Sequence, residues 1–284
     1  MRFLSVLCFL VLPVSLFSVP DMLPNEYYKH TLHVLLLCDT SNPDTRASHL
    51  ADIKRMKNNV KGIAVQCKLK LRLHVLKDGA LTEKNILQWA EQVRRIRGNT
   101  FVYYSGGEDK SVMNETKWPS IKLAEKSATL WTAGAMKEKM DGLFCGPGFS
   151  VIVNDCYDSM QALPKNYCDM PSRIRRKGGQ RGLPYLFWKH ARSVAISSHE
   201  KGEKGYGIIQ GKERGGLLTL MFCRSLECAT AKPQFWNVIL PEIAGNCFNF
   251  AAPDERKYLL PLQQKVVISS EKGFEHPDYI LETA

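Results

Sequence analysis

Apolar and polar residues recur with two different periods in the first part of the chain, and these periods indicate alternating strands and helices. Residues 28–39 contain a continuous apolar run typical of a buried strand, and residues 48–65 carry apolar side chains at helical spacing. Residues 67–76 alternate apolar and basic side chains, which predicts a strand near a sheet edge. A helix over residues 82–96 and a strand over Asn99–Gly106 follow. This alternation predicts an α/β fold with a mostly parallel sheet and helices on both faces.

The second half of the chain has weaker periodicity but continues the same order. Its predicted elements are a largely helical stretch at 119–140, a strand at 149–155, a loop at 163–184, a strand at 192–197, helices at 215–226 and 235–245, and a closing strand at 265–270. No internal repeat or low-complexity segment is evident. The pattern therefore predicts one domain over residues 28–270, with a C-terminal tail at 271–284.

The N-terminal residues 1–18 have the features of a secretory signal peptide. Arg2 supplies a positive charge, residues 3–17 are mostly apolar, and Ser18 is a small residue at the expected cleavage point. A membrane anchor would need about 20 apolar residues, and Pro13 and Ser15 interrupt this run. We expect export to a periplasmic or secreted location, with no integral membrane segment after removal of the signal.

Charge and cysteine content narrow the expected class of protein. The net charge of +11 is spread along the sequence, apart from a basic run at 173–181 within the predicted loop, so we expect solubility and not nucleic-acid binding. Eight cysteines would remain after export, but their spacing is irregular and several lie in apolar strands. Buried free thiols are the expectation for most of them. No metal-binding or phosphate-binding motif is present, so no cofactor is predicted.

Two strand ends carry the chemistry that the sequence suggests. The strand Asn99–Gly106 is followed by Gly107, and the strand at 149–155 carries Asn154 and Asp155 and leads directly into Cys156. Because ligand and catalytic groups collect at the carboxyl ends of parallel strands, we expect these residues to lie together at one sheet edge.

The motifs at these strand ends resemble those of the caspase and metacaspase superfamily of cysteine peptidases. In that superfamily one strand ends in Tyr-Ser-Gly-His-Gly and a later one in Asp-x-Cys-(His/Tyr)-Ser-Gly, where this chain has Tyr-Ser-Gly-Gly-Glu at 104–108 and Asn-Asp-Cys-Tyr-Asp-Ser at 154–159. The stretch Gly-Gly-Leu-Leu-Thr at 215–219 is similar to the family's Gly-Gly-x-Phe-Thr helix start. The resemblance implies a caspase-like three-layer sandwich, with Cys156 as the nucleophile and Gly107 in the place of the catalytic histidine.

The absence of that histidine decides the expected activity. Losing one member of such a catalytic unit costs on the order of 10⁴ to 10⁶ in turnover. Among the remaining histidines, His199 follows a strand whose loop faces the cleft in the family, so it is the candidate for a relocated base. We expect His190 at a helix end, and four more histidines in elements elsewhere, namely His30, His33, His49 and His74.

Three interpretations follow from these residues. The first is an inactive or impaired pseudoprotease with a peptide-binding or regulatory role, which would bind a peptide or protein partner through Gly106, Gly107, Asn154 and Asp155, while Cys156 is either a reactive thiol or simply a buried core residue. The second is an active cysteine endopeptidase that uses His199. The third is an unrelated flavodoxin-like fold, which would place an acidic or phosphate-binding site at the point where the strand order reverses. The sequence leaves the oligomeric state open.

Overall fold

Six strands form the main sheet of the computed structural model, in the order β2-β1-β3-β4-β6-β9. All neighbouring pairs are parallel except β6 and β9, which are antiparallel. The strands of this sheet are β1 (Thr31–Cys38), β2 (Lys70–Lys77), β3 (Asn99–Gly106), β4 (Ser150–Cys156), β6 (Ser193–Ser197) and β9 (Val267–Ser270). The structure describes residues 31–96, 98–111, 116–127, 131–143, 149–162, 182–189, 193–210, 213–231, 236–248 and 266–270.

Helices cover both faces of this sheet. They are α1 (Pro43–Gln66), α2 (Glu83–Ile96), α3 (Ala133–Leu143), α4 (Gly182–Lys189), α5 (Leu217–Ala231) and α6 (Trp236–Phe248). The core on one face contains side chains of α1, α4, α5 and α6, and the core on the other contains side chains of α2 and α3. We call these the α1 face and the α2 face. The predicted α/β three-layer sandwich with a mostly parallel sheet is confirmed.

Local sequence explains where the first elements begin. The side chain of Asn42 accepts a hydrogen bond from the backbone N–H of Asp44 at 3.0 Å, and Pro43 occupies the first turn of α1, where a missing N–H has no cost. The strand β2 lies at the sheet edge, and its basic residues point to solvent while Leu71 and Leu73 pack on the core. The predicted edge position is therefore correct.

A second, smaller sheet was not predicted. It has three strands in the order β5-β7-β8, namely β5 (Ser159–Ala162), β7 (Tyr206–Gln210) and β8 (Glu213–Gly216). Residues 215 and 216, assigned to a helix from the sequence, end β8, and α5 begins only at Leu217.

The predicted helix at 119–140 is correct only at its end, because α3 begins at Ala133. The backbone before it bonds to other segments: Asp109 donates to Ser120 at 3.0 Å, and Ile121 donates to Trp131 at 2.7 Å. The predicted loop at 163–184 lies outside the described residues up to residue 181, and α4 begins at Gly182.

The described residues also show the state of the cysteines and the character of the helices. Six described cysteines are free, and only Cys228 among them is exposed, as expected for a chain with mostly buried thiols. Within the same residues, no helix combines the length and apolar character that crossing a bilayer requires. The signal peptide and C-terminal tail predicted from the sequence lie outside the described residues.

Candidate functional site

The ends of β3 and β4 bring the predicted site residues together. Gly106 is the register partner of Cys156, and Ser105 that of Asp155. The backbone N–H of Tyr157 donates to the carbonyl of Gly106 at 3.0 Å, which extends the pairing beyond the last strand residue. Gly107 therefore directly follows the partner of the predicted nucleophile.

Successive side chains of β4 point to opposite faces of the sheet, and this separates the candidate groups. Cys156 belongs to the core of the α2 face. Asp155 instead accepts hydrogen bonds from Thr219 of α5, which packs on the α1 face. The two adjacent residues of the motif thus face different environments.

Cys156 is buried and held by polar partners. Its thiol donates to the Asn154 side-chain oxygen at 3.0 Å, and its backbone N–H donates to Ser198 Oγ at 3.0 Å. The Ser198 hydroxyl in turn donates to the Cys156 carbonyl at 2.8 Å. Burial raises the pKa of the Cys156 thiol well above its usual value, and the nearby acidic side chains raise it further. The sulfur is therefore held as a neutral thiol.

The space beside Gly107 is occupied by carboxylates. A Cβ added at Gly107 would lie 2.8 Å from Asp158 Oδ1 and 3.9 Å from Asp39 Oδ2. Lys110 forms an ion pair with Asp158 at 3.0 Å, and Lys122 approaches Asp39 at 3.7 Å. Acidic groups and their lysine partners therefore occupy the region into which a side chain at position 107 would extend.

His199 lies next to the backbone of Cys156 but does not engage its thiol. A Cβ added at Gly205 would meet both the Cys156 carbonyl and, at 2.6 Å, His199 Cδ2, so the ring and that carbonyl border the same space. The imidazole Nδ1 lies 2.7 Å from the Glu200 carbonyl oxygen. The thiol hydrogen bond described by the structure goes to an amide oxygen and not to an imidazole.

A buried polar cluster on the α1 face was missed by the sequence analysis. At its centre Asp52 Oδ2 accepts hydrogen bonds from the Tyr157 hydroxyl and the Gly216 N–H, both at 2.8 Å. Asp52 Oδ1 accepts from Arg55 at 2.8 Å, and Ser105 Oγ donates to Oδ2 at 3.3 Å. This one carboxylate therefore joins α1 to β3, to the end of β4 and to the small sheet.

Asp155 extends this cluster toward α5. Its Oδ2 accepts from the backbone N–H of Thr219 at 2.9 Å and from the Thr219 hydroxyl at 2.5 Å. Tyr103 Oη lies 2.5 Å from the same hydroxyl. Asp155 Oδ1 is buried without a hydrogen-bond partner among the described residues. Burial and the neighbouring Asp52 charge both raise the pKa of Asp155, which favours its neutral form.

His49 belongs to the same cluster, although we expected it elsewhere. Its Nδ1 lies 2.9 Å from Ser105 Oγ, and its ring centroid is 4.3 Å from that of Tyr157. Burial lowers the pKa of His49 to about 4, against the opposing influence of Asp39 and Asp158. One signal could have found it: His49 and Asp52 occupy the buried side of an amphipathic helix, where polar groups require partners.

The cluster is suited to holding the fold together, since most of its polar atoms already have partners. Among the described residues, no three His, Cys, Asp or Glu side chains converge in a way that could hold a metal ion. The α2 face of the site therefore holds a neutral thiol, and the α1 face holds a polar cluster whose buried atoms without a hydrogen-bond partner among the described residues include Asp155 Oδ1 and His49 Nε2.

Comparisons with known proteins describe the fold only. No protein-family model and no curated protein sequence matches the chain significantly. Solved structures with similar architecture include protein GSU0716 from Geobacter sulfurreducens, at 11% identity and a TM-score of 0.47, covering 84% of this chain and 93% of that one. They also include Caspase-1 from Spodoptera frugiperda, at 15% identity and a TM-score of 0.49, covering 87% of this chain and 90% of that one.

A third similar structure, pro-sf-caspase-1, has 14% identity and a TM-score of 0.47 and covers 87% of this chain and 93% of that one. The caspase-like architecture implied by the strand-end motifs agrees with the observed sheet and helix layers. At these identities and scores, the likeness says nothing about activity, substrate or partner.

Proposed function

We propose that this chain is a caspase-like domain that does not cleave peptide bonds through Cys156 and that acts as a binding protein for a peptide or protein partner. The observation that carries the proposal is the state of Cys156. Its side chain is fully buried, its thiol donates to Asn154, and the facing strand continues into Gly107.

The buried thiol is a poor nucleophile on chemical grounds. The thiolate attacks, and even an ordinary cysteine is only a few per cent ionised near neutral pH. Burial raises the pKa of the Cys156 thiol, so its thiolate fraction is smaller still. A hydrogen bond from the thiol to an amide oxygen gives no means of removing the proton.

At the neighbouring end of β3, no described side chain acts as a base that would increase the thiolate fraction of Cys156. Gly107 has no side chain, and the carboxylate of Asp158 lies beside that position. The negative charges of Glu108 and Asp158 raise the pKa of the thiol, and Asp155 raises it further when it is ionised. In a working site a nearby base would accept the proton and return it to the leaving amine.

Thiol labelling and peptide hydrolysis test this proposal together. We expect alkylation by iodoacetamide to modify the exposed Cys228 in the native protein and to reach Cys156 only after unfolding, as read by mass spectrometry. We expect wild type and Cys156→Ala to give the same background signal on a fluorogenic peptide panel, with Cys228→Ala as the matched control. Turnover that Cys156→Ala abolishes and Cys228→Ala retains would refute the proposal.

The alternative of an active endopeptidase with a relocated base has one observation in its favour, namely that His199 borders the backbone of Cys156. It predicts turnover that is lost in both His199→Ala and Cys156→Ala. The same peptide panel, with the exposed His74→Ala as control, separates the two functions.

The binding role would use the strand ends of β3 and β4, as the resemblance implies. Because β3 and β4 are each paired on both sides within the sheet, a peptide would contact the loops that follow these strands and would not add a strand to either of them. Selection from a displayed peptide library against wild type, then against folded Gly107→Val, tests this. Ligands bound equally by both variants would place the binding surface elsewhere. Export remains part of the proposal, and N-terminal sequencing of the mature product would test cleavage after residue 18.

A further inference from the structure

The solvent-facing side of α1 carries a regular stripe of basic and aliphatic side chains. Its members recur every three or four residues and are all exposed: Arg46, Leu50, Lys54, Lys57, Lys61 and Val65. With 3.6 residues per turn, these six lie within an arc of about 100° and along about 28 Å of helix. We call this set the α1 stripe.

The positive charge of the three lysines in the α1 stripe is not neutralised locally, whereas the charge of Arg46 acts on Asp78 and helps to lower the pKa of that carboxyl. Between residues 45 and 77 the sequence has one acidic residue, Asp52, which is buried and paired with Arg55. The three lysines of the stripe have no ion-pair partner among the described residues. Such a row of like charges produces a local positive potential that attracts anions.

Aliphatic side chains occur within the same stripe. Leu50 is 37% exposed and Val65 is 52% exposed, and they are two of only four large apolar side chains exposed among the described residues. A partner that accepts both lysines and aliphatic groups therefore fits this surface better than a purely ionic one.

We propose that the α1 stripe docks on an anionic lipid surface. In this arrangement the ammonium groups contact lipid headgroups, while Leu50 and Val65 reach the boundary of the acyl chains. Long lysine side chains can lie along apolar surface and still place their charge at the headgroups.

Two other anionic partners fit the observations less well. The phosphate backbone of a nucleic acid would attract the lysines but would gain little from Leu50 and Val65. Protein interfaces favour aromatic residues and arginine at their centre and are poor in lysine, whereas the α1 stripe has three lysines and no aromatic residue.

Vesicle co-sedimentation with the full chain tests this proposal. The probes are phosphatidylcholine vesicles and matched vesicles that contain phosphatidylserine. Because the apolar N-terminal residues would bind either vesicle, the measured quantity is the ratio of the two partition coefficients. We expect the wild type to prefer the anionic vesicles strongly at low salt, with the preference falling as salt screens the charges.

Charge reversal then locates the surface. The variant K54E/K57E/K61E is expected to lower the ratio at least a hundredfold, since three attractive charges become repulsive. The matched control K70E/R72E/K84E makes the same charge change with exposed residues of β2 and α2 and is expected to stay within a few-fold of wild type. Leu50→Ser with Val65→Ser is expected to lower binding about tenfold. Circular dichroism verifies that each variant is folded.

Several results would overturn the proposal. One is equal binding of the wild type to both vesicles at low salt. Another is an equal loss in the two charge-reversal variants, which would show that net charge and not the α1 stripe is responsible. A third is tighter binding to a DNA duplex than to anionic vesicles, with no effect of the Leu50 and Val65 changes; this would assign the stripe to nucleic acid.

Discussion

Gly106 and Cys156 are register partners at the ends of the neighbouring parallel strands β3 and β4. The pairing places residue 107 at the strand tip next to the cysteine, yet this position has no side chain. The space beside it is taken by Asp158, whose carboxylate pairs with Lys110. A carboxylate with its lysine partner therefore fills the space that a side chain at position 107 would need.

Placing a histidine at position 107 is expected to be insufficient for peptide hydrolysis. In Gly107→His the new Cβ would lie 2.8 Å from Asp158 Oδ1, so the carboxylate must move, and Cys156 remains buried on the α2 face. We predict peptide hydrolysis at background level and somewhat lower stability. The assay is the fluorogenic peptide panel together with a urea titration. Turnover that appears in Gly107→His and disappears on adding Cys156→Ala would show that the thiol is available for catalysis.

The buried ion pair of α1 offers a direct comparison with an exposed one. Arg55–Asp52 and Arg94–Glu91 are both i,i+3 pairs at 2.8 Å, but only the first is buried. Asp52→Ala should cost about 3–5 kcal/mol of unfolding free energy, because it leaves the guanidinium buried without its counter-charge.

Glu91→Ala is the matched control and should have little effect, because water screens an exposed pair. Urea unfolding measures both variants. Similar small losses in the two would mean that Asp52 does not hold α1 to the rest of the fold.

The backbone at Gly216 lies so close to the Asp155 carboxylate that a residue with a side chain would not fit at this position. A Cβ there would overlap with Asp155 Oδ2 and lie 2.7 Å from Tyr157 Cε1. Gly216→Ala should therefore destabilise the fold by about 1–3 kcal/mol, the usual cost of overpacking. Gly245 lies within α6 with open space around it, so Gly245→Ala should instead stabilise by up to about 1 kcal/mol. Thermal unfolding distinguishes these opposite signs, and equal shifts would contradict the close approach.

His49 is expected to make the free energy of unfolding depend on pH in the acidic range. Burial lowers its pKa to about 4 from an ordinary value of 6.5, so the folded state binds fewer protons than the unfolded state between these values. Stability should fall as pH falls through this window, by about 3 kcal/mol in total. His49→Gln removes this loss of stability. The titration of the nearby carboxylates changes the stability of the wild type and of His49→Gln by similar amounts, so it largely cancels in the comparison.

Urea titrations of wild type and His49→Gln at neutral pH and near pH 4 measure the difference. His74→Gln, in the exposed edge strand β2, is the control and should follow the wild type. If the wild type and His49→Gln lose stability in parallel, the imidazole is not held neutral by burial.

The sequence pattern was sufficient for the first half of the fold, where apolar side chains recur over long elements. It failed for the small sheet because β5 and β8 have only four residues each, too few to show a period. Gly215 and Gly216 resembled a helix start. In the structure, their lack of side chains allows the Asp52 and Asp155 carboxylates to lie close to the backbone of β8.

The candidate site was predicted on one face and missed on the other. Gly106 and Cys156 could be placed together because parallel strands end at the same edge. The partners of Asp52 could not, since Tyr157 and Gly216 are 105 and 164 residues away along the chain. A polar residue on a buried helix face indicates that a partner exists, but only the folded chain identifies it.

Asp155 should give the opposite pH dependence to His49. Burial and the Asp52 charge raise its pKa, so above the unfolded pKa of about 3.9 the folded state binds more protons than the unfolded state. Stability conferred by the neutral carboxyl is complete below that value and is lost as pH rises toward the folded pKa. Asp155→Asn keeps an oxygen that can accept from Thr219 and does not titrate. The variant should therefore gain stability relative to the wild type as the solution is taken from mildly acidic to mildly alkaline pH.

Unfolding free energies of the two proteins across that range provide the measurement. Asp44→Asn, at an exposed position in the first turn of α1, controls for the loss of one carboxylate and should not show this relative gain. Because Asp52 and Asp155 repel each other when both are charged, Asp155→Asn should also make Asp52 easier to ionise. A wild-type profile that stays parallel to that of Asp155→Asn would mean that Asp155 is charged in the folded protein, with its buried oxygen stabilised by some other group.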